Sequence, residues 1–201
     1  MGLMDWIKRS FGGPTPPAAA PGIYAKPQTP LPPATPADWQ ALTDAVGQAL
    51  VPDDADALGA EVRLALLQPD AYLAQFGDAL MQRGIESPQD VTPWLALVDG
   101  LDSREQCAEM DWKLDMDELI ASLHGLRAAK ERSIVLDALT TSENFGADAL
   151  AEAAALLRPH GVALVSFDIE SDCYPLVLLP SAQVAHIQAL AQKVGHTIIP
   201  L

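Results

Sequence analysis

The densest run of groups able to do chemistry is Asp168-Ile-Glu-Ser-Asp172, followed at once by Cys173 and Tyr174. Side chains alternate along an extended chain, so there Asp168, Glu170 and Asp172 share one face. Three convergent carboxylates can hold Mg²⁺ or Ca²⁺, which prefer oxygen ligands, or share general acid–base work. The spacing departs from a calcium loop, which needs glycine at its sixth position and glutamate at its twelfth. Here those positions are Cys173 and Leu179. Three readings stay open for this run: a solvated hairpin tip, an acidic patch turned toward a partner, and a metal or catalytic site.

A second run is Glu109-Met-Asp-Trp-Lys-Leu-Asp-Met-Asp-Glu118. Asp115 or a neighbour caps a helix, with Asp117 and Glu118 complementing the positive end of its dipole. Asp111 and Trp112 precede that cap at a strand–helix junction. Tryptophan is enriched among interface hot spots, so Trp112 reads either as an anchor for a partner or as core. Elsewhere the chemistry is thin. The sequence has no G-x-S-x-G elbow, no G-x-x-x-x-G-K-[ST] loop and no G-x-G-x-x-G. The four histidines (His124, His160, His186 and His196) are scattered, and two cysteines are too few for a disulfide scaffold. No cofactor and no bound metal are expected.

The elements that must position these groups begin after a tether. Nine of the 17 prolines fall between Pro14 and Pro36, so residues 14–36 read as a semi-rigid linker. Residues 1–13 form a short amphipathic peptide whose Leu3, Trp6, Ile7 and Phe11 can share one face. A frayed terminus, a docking peptide and a weak interfacial membrane anchor compete for it. No apolar stretch approaches the roughly 18 residues of a membrane-spanning helix. Residues 37–201 then read as a single acidic globular domain.

Thr35-Pro36-Ala37-Asp38 is a helix start, followed by Trp39, Leu42, Val46 and Leu50 at helical spacing. Three further helices are expected over Asp53–Leu67, from Pro69 to about Gly84, and from Ser87-Pro88-Gln89-Asp90 onward to Leu101. Cys107–Trp112 reads as a short strand, and Met116–Leu126, Ser133–Leu139 and Ala147–Leu157 as helices. Val162–Asp168 and Tyr174–Leu179 are rich in strand formers, with Pro175 expected at a strand start or an edge. Ser181–Val194 is an amphipathic helix and His196–Ile199 a last strand. The fold class is α+β: four N-terminal helices, then a small sheet with a C-terminal helix–strand–strand–helix–strand unit.

Trp94-Leu-Ala-Leu-Val-Asp-Gly100, Glu109-Met-Asp-Trp-Lys113 leading into Asp117-Glu-Leu119, and Phe167-Asp-Ile-Glu-Ser-Asp-Cys-Tyr-Pro-Leu176 together resemble an uncharacterised bacterial family known only as a domain of unknown function. The resemblance covers about residues 90–201. It implies that Asp111, Trp112, Asp168, Asp172 and Tyr174 belong to the site that matters, and it supplies no substrate.

Charge narrows the class of function. The chain carries 27 acidic and 12 basic residues, a formal net charge of −15. Residues 1–37 carry +2, residues 38–118 carry −14 and residues 119–201 carry −3. Binding to nucleic-acid phosphates needs the opposite sign. The expectation is a non-catalytic, cytoplasmic interaction protein, an immunity-type inhibitor or adaptor for a basic protein partner. Its site would use Asp111, Trp112, Asp168, Glu170, Asp172 and Tyr174. The alternative is a metal-dependent or carboxylate-based hydrolase using Asp111, Asp168, Glu170 and Asp172.

Overall fold

The computed structural model describes residues 33–201. Prolines punctuate its first half. Helix α1 (Pro36–Leu50) opens on a capping box, Thr35 and Asp38 each satisfying the other's main chain. It ends at Val51, which precedes Pro52 and leaves the helical region at φ −138°. Helix α2 (Ala55–Leu67) stops at Gln68 (φ −143°), which precedes Pro69, the first residue of α3 (Pro69–Gln82). In each case the proline bars the helical conformation one residue upstream; Pro52 then opens a 3₁₀ turn (Pro52–Asp54) ahead of α2, and Pro69 opens α3 itself.

The same rule corrects the fourth helix. Ser87-Pro88 does cap a turn, Ser87 Oγ accepting from the Gln89 N–H, but only a 3₁₀ turn over Pro88–Asp90. Pro93 forces Thr92 to be extended (φ −122°), so α4 (Pro93–Asp102) starts there, with the Thr92 hydroxyl as its cap.

Strand β1 (Cys107–Asp111) follows, then α5 (Met116–Gly125), opened by a capping box between Asp115 and Glu118. The helix expected over Ser133–Leu139 is not there. The chain forms α6 (Arg127–Glu131) instead, turns through Ser133 at φ 50°, and makes only a 3₁₀ turn at Asp137–Leu139. Helix α7 (Gly146–Leu157), β2 (Val162–Phe167), β3 (Cys173–Pro180), α8 (Val184–Lys193) and β4 (Ile198–Pro200) complete the order. Gly161, at φ 72°, supplies the left-handed turn into β2.

The four strands form one antiparallel sheet in the order β1-β3-β2-β4. Its two faces are both covered, and the alternation is strict. Cys107, Val165, Phe167, Val177 and Leu179 pack against α1, α2, α4 and α8. Met110, Val162, Leu164, Leu176 and Leu178 pack against α5, α6 and α7. The architecture is therefore helix–sheet–helix, which explains why β2 and β3 are apolar at nearly every position. A third cluster, with Tyr72, Leu80 and Ala96, ties α3 to α2 and α4.

Pro175 lies in an interior strand rather than on an edge, opposite Glu109 of β1. Hydrogen-bonded and non-bonded pairs alternate in an antiparallel ladder. The Trp112 N–H donates to the Asp172 carbonyl at 3.2 Å, so Asp172, Tyr174 and Leu176 point their main-chain groups at β1. The Pro175 nitrogen is turned the other way, toward β2, where the ladder stops one position short at Ser166–Leu176. The next position would set Pro175 opposite Phe167, so the β2–β3 ladder ends where the missing N–H would have donated.

One close approach gives a direct test of the α1–α2 packing. A Cβ on Gly47 would stand 2.9 Å from Ala55 Cβ and 3.2 Å from Ala55 Cα. Alanine prefers helix over glycine by about 1 kcal/mol, but overpacking against main chain costs about 1–3 kcal/mol. Gly47→Ala is therefore expected to lower the urea midpoint, and a raised midpoint would contradict the packing described.

Candidate functional site

Strand direction collects the candidate residues at one end of the sheet. The C-terminal ends of β1 and β2 and the N-terminal ends of β3 and β4 meet there, because each neighbouring pair is antiparallel. Asp111 lies opposite Cys173, Met110 opposite Tyr174, and Trp112 bonds Asp172 through the main chain. On the far side, the Asp168 N–H donates to the Thr197 carbonyl at 3.0 Å and continues the β2–β4 ladder. Asp111, Trp112, Asp168, Asp172 and Tyr174 thus sit at one end. They do not share a face: alternation along the strands puts Trp112 and Tyr174 on the α5–α7 side and Asp111 on the other.

The expected alignment of Asp168, Glu170 and Asp172 on one face is overturned. Asp168 Oδ1 accepts the Glu170 N–H at 2.8 Å, and Ser171 Oγ accepts the Cys173 N–H at 3.1 Å. Glu170 itself sits at φ 57°. These side-chain-to-main-chain bonds coil residues 168–172 into a turn, so the period of two does not apply. Glu170 and Asp172 are exposed and Asp168 is half-buried. Among the described residues no three His, Cys, Asp or Glu side chains come together in a way that would hold a metal ion.

Trp112 is 51% exposed, with Lys113 Nζ 4.9 Å from its ring centre. Phe145, missed in the sequence reading, is 70% exposed beside it. An isolated bridge pairs Phe145 with Asp115, and the Gly146 N–H donates to the Leu114 carbonyl at 2.8 Å. Two exposed aromatic residues therefore lie on adjoining segments next to Asp111 and Asp172. Nothing local to Asn144-Phe145-Gly146 separates an exposed phenylalanine from a core one. Tyr174 is half-buried against the α5–α7 core. Leu3, Trp6, Ile7 and Phe11 lie outside the described residues.

The chain matches a family, the Domain of unknown function (DUF6630), over residues 39–201. It belongs to that family. The match reaches well upstream of residue 90 and so takes in the acidic helical half. No curated protein and no solved structure is similar to the chain.

Two further clusters of the DUF6630 domain escaped the sequence reading. At the same end of the sheet, Trp94 lies 2% exposed between two rings. His196 stacks on it at 4.5 Å with planes 3° apart, and Phe167 lies 5.3 Å away. The Trp94 Nε1–H donates to the Asp168 carbonyl at 2.8 Å, which fixes the start of the β2–β3 turn from α4. Trp39 closes on His196 at 5.7 Å.

Burial pushes the His196 imidazole below its usual 6.5, while the charges of Glu170 and Asp168 pull it back part of the way. A folded-state value below the unfolded one means that the unfolded chain takes up the proton first. The stability His196 confers is then present above pH 6.5 and lost as pH falls below it. Substituting His196→Gln is expected to flatten the pH dependence of unfolding between about pH 5 and 7. An unchanged slope would contradict this placement of the ring.

The second cluster surrounds Arg83, just after α3. Its Nε donates to Asp99 Oδ1 at 2.7 Å and its terminal nitrogens bond Glu109. Asp102 adds a third carboxylate nearby, and burial holds both Asp99 and Asp102 above the ordinary carboxylate range despite the guanidinium. Cys107, buried beneath, has its thiol pushed far up by burial and these acids, which leaves it protonated and unreactive. A second clasp holds Arg104 between Asp54 (2.5 Å) and Glu61 (2.8 Å). The sequence signal was scarcity: Arg83 and Arg104 are two of only four basic residues between 38 and 118.

Proposed function

We propose that this DUF6630 domain is a non-catalytic interaction module, acting in the cytoplasm, that docks a basic protein partner as an immunity-type inhibitor or adaptor does. The observation that carries the reading is how the few cations are used. Arg83 and Arg104 are each held between carboxylates of the domain itself. Their charge is spent internally, and the surplus acids face solvent. Asp53, Asp56, Asp70, Asp78 and Asp90 are all exposed, and none is in an ion pair among the described residues. A surface with an excess of one sign speeds capture of the opposite sign and suppresses wrong partners. Trp112 and Phe145 add the aromatic area that charge alone lacks. Two unpaired cysteines fit a reducing compartment.

The test is affinity capture on the intact chain from extracts of its own host, run at about 50 mM and about 500 mM salt. The reading expects a partner of net positive charge that is retained at low salt and released at high salt. Recovery of no partner, or of one indifferent to salt, overturns it.

A further inference from the structure

Strand β1 is an edge of the sheet, five residues long, with β3 on one side only. The Trp112–Asp172 bond fixes which main-chain groups it presents outward. Ala108, Met110 and Trp112 bond β3, so Cys107, Glu109 and Asp111 turn theirs away from it. The Asp111 carbonyl is taken by the Leu114 N–H at 3.1 Å. No hydrogen bond among the described residues engages the N–H or carbonyl of Glu109. Glu109 is an exposed residue although its side chain is only 26% exposed, so much of what solvent reaches there is main chain.

We infer that β1 accepts one further strand, an extended peptide from a basic partner in which cationic residues alternate with apolar or β-branched ones. The inference rests on the reading of the domain as an acceptor of basic proteins and says where such a partner attaches. Strand addition draws affinity from main-chain bonds and specificity from alternate side chains. Residues paired across strands share a face. Side chains opposite Glu109 and Asp111 would therefore meet those two acids, with Asp99 and Asp102 behind them, four carboxylates against two cations, Arg83 on Glu109 and Lys113 beside Asp111. Side chains on the alternate positions would meet Met110 and the exposed ring of Trp112, with Phe145 alongside.

The same charges reject a second copy as the occupant. Two β1 strands paired antiparallel in the registers that use Asp111 set Glu109 against Glu109 or against Asp111, and like charges directly opposite each other are destabilising. A basic strand meets no such penalty. The edge is thus closed to its own kind and open to the opposite sign.

The test titrates the intact chain with a synthetic peptide of about ten residues alternating lysine and threonine, and with a matched peptide alternating glutamate and threonine. The lysine peptide is expected to bind and the glutamate peptide not to. Two variants then separate strand addition from simple charge attraction. Glu109→Ala removes the carboxylate and keeps the N–H. Glu109→Pro removes both, and because this N–H points away from β3 the β1–β3 ladder survives. The proline variant is expected to bind about tenfold more weakly than the alanine variant, the equivalent of one lost main-chain bond. In the wild type, hydrogen exchange of the Glu109 amide should slow when the lysine peptide is bound, a readout independent of how the variants fold.

Equal affinity of the two variants, with no protection of the Glu109 amide, overturns strand addition while leaving the basic-partner reading standing. Failure of the lysine peptide to bind at low salt overturns both. Self-association of the wild type that Glu109→Pro abolishes overturns the choice of occupant.

Discussion

Trp94→Ala is expected to lower the unfolding free energy of the domain by about 3–5 kcal/mol, the cost of deleting a fully buried large aromatic side chain. For a domain of this size that corresponds to a melting temperature roughly 6–20 °C lower. Three losses combine. The ring leaves a cavity between α4 and the sheet, where it is 2% exposed. The stacking on His196 and Phe167 disappears. The Asp168 carbonyl loses its 2.8 Å donor, and with it the brace that links the β2–β3 turn to α4. Trp94→Phe separates these terms, because it keeps much of the apolar area and loses the donor. That variant should cost about 1–2 kcal/mol. Chemical denaturation of the two variants beside the wild type checks the account, and an alanine variant within about 1 kcal/mol of wild type would contradict it.

Arg83→Met is expected to cost about 2–3 kcal/mol at neutral pH. Hydrogen bonds to charged groups contribute about 1.5–3 kcal/mol, and removing one member of a fully buried ion pair costs more than that. The side chains of Arg83, Asp99 and Glu109 remain a fifth to a quarter exposed, so solvent screens part of the loss. What distinguishes this variant is its pH dependence. Without the guanidinium, Asp99, Asp102 and Glu109 repel one another. Asp99 and Asp102 already sit above the ordinary carboxylate value of 3.8 in the folded state. A raised folded-state value means the folded chain takes up protons first, so the fold gains stability relative to the unfolded chain as pH falls. The gap between Arg83→Met and wild type should therefore narrow from about pH 7 to about pH 4. A gap that stays constant would show that Arg83 acts through packing alone. Arg83→Lys restores the charge without the forked geometry and should recover only part of the loss.

Local chemistry was legible where one residue dictates its neighbour's conformation. Thr35, Asp115 and the prolines at 36 and 69 set helix starts because a side chain or a ring fixes the backbone within three residues. The failures have the same origin. Ser87-Pro88 looks like a helix start and makes a single turn, because Pro93 vetoes continuation further along than the cap can sense. Ser133–Leu139 has helical spacing, yet the chain reverses at Ser133 so that Ile134, Leu136 and Leu139 can reach the core built by α5 and α7.

The candidate site divides in the same way. Asp111, Trp112, Asp168, Asp172 and Tyr174 were readable as residues of interest, and the antiparallel sheet brings them to one end. Their faces were not readable, because the turn bond from Asp168 to Glu170 cancels the alternation. The Arg83 clasp joins residues 16 and 26 positions away, and Trp94 reaches Asp168 across 74 positions. No pattern within a single element carries contacts at that range.

The central claim, that surplus negative charge at and around this end of the sheet recruits a basic partner, is tested most directly by the association rate of the captured partner. The comparison sets the wild type against a triple variant, Glu109→Gln, Asp111→Asn and Asp172→Asn, at low and high salt. Each substitution keeps side-chain size and one acceptor oxygen while removing charge, and Glu109→Gln also gives up one of the two bonds from Arg83. The account predicts association about tenfold slower for the variant at low salt, the difference shrinking as salt rises. Equal rates for the two proteins at low salt would contradict it.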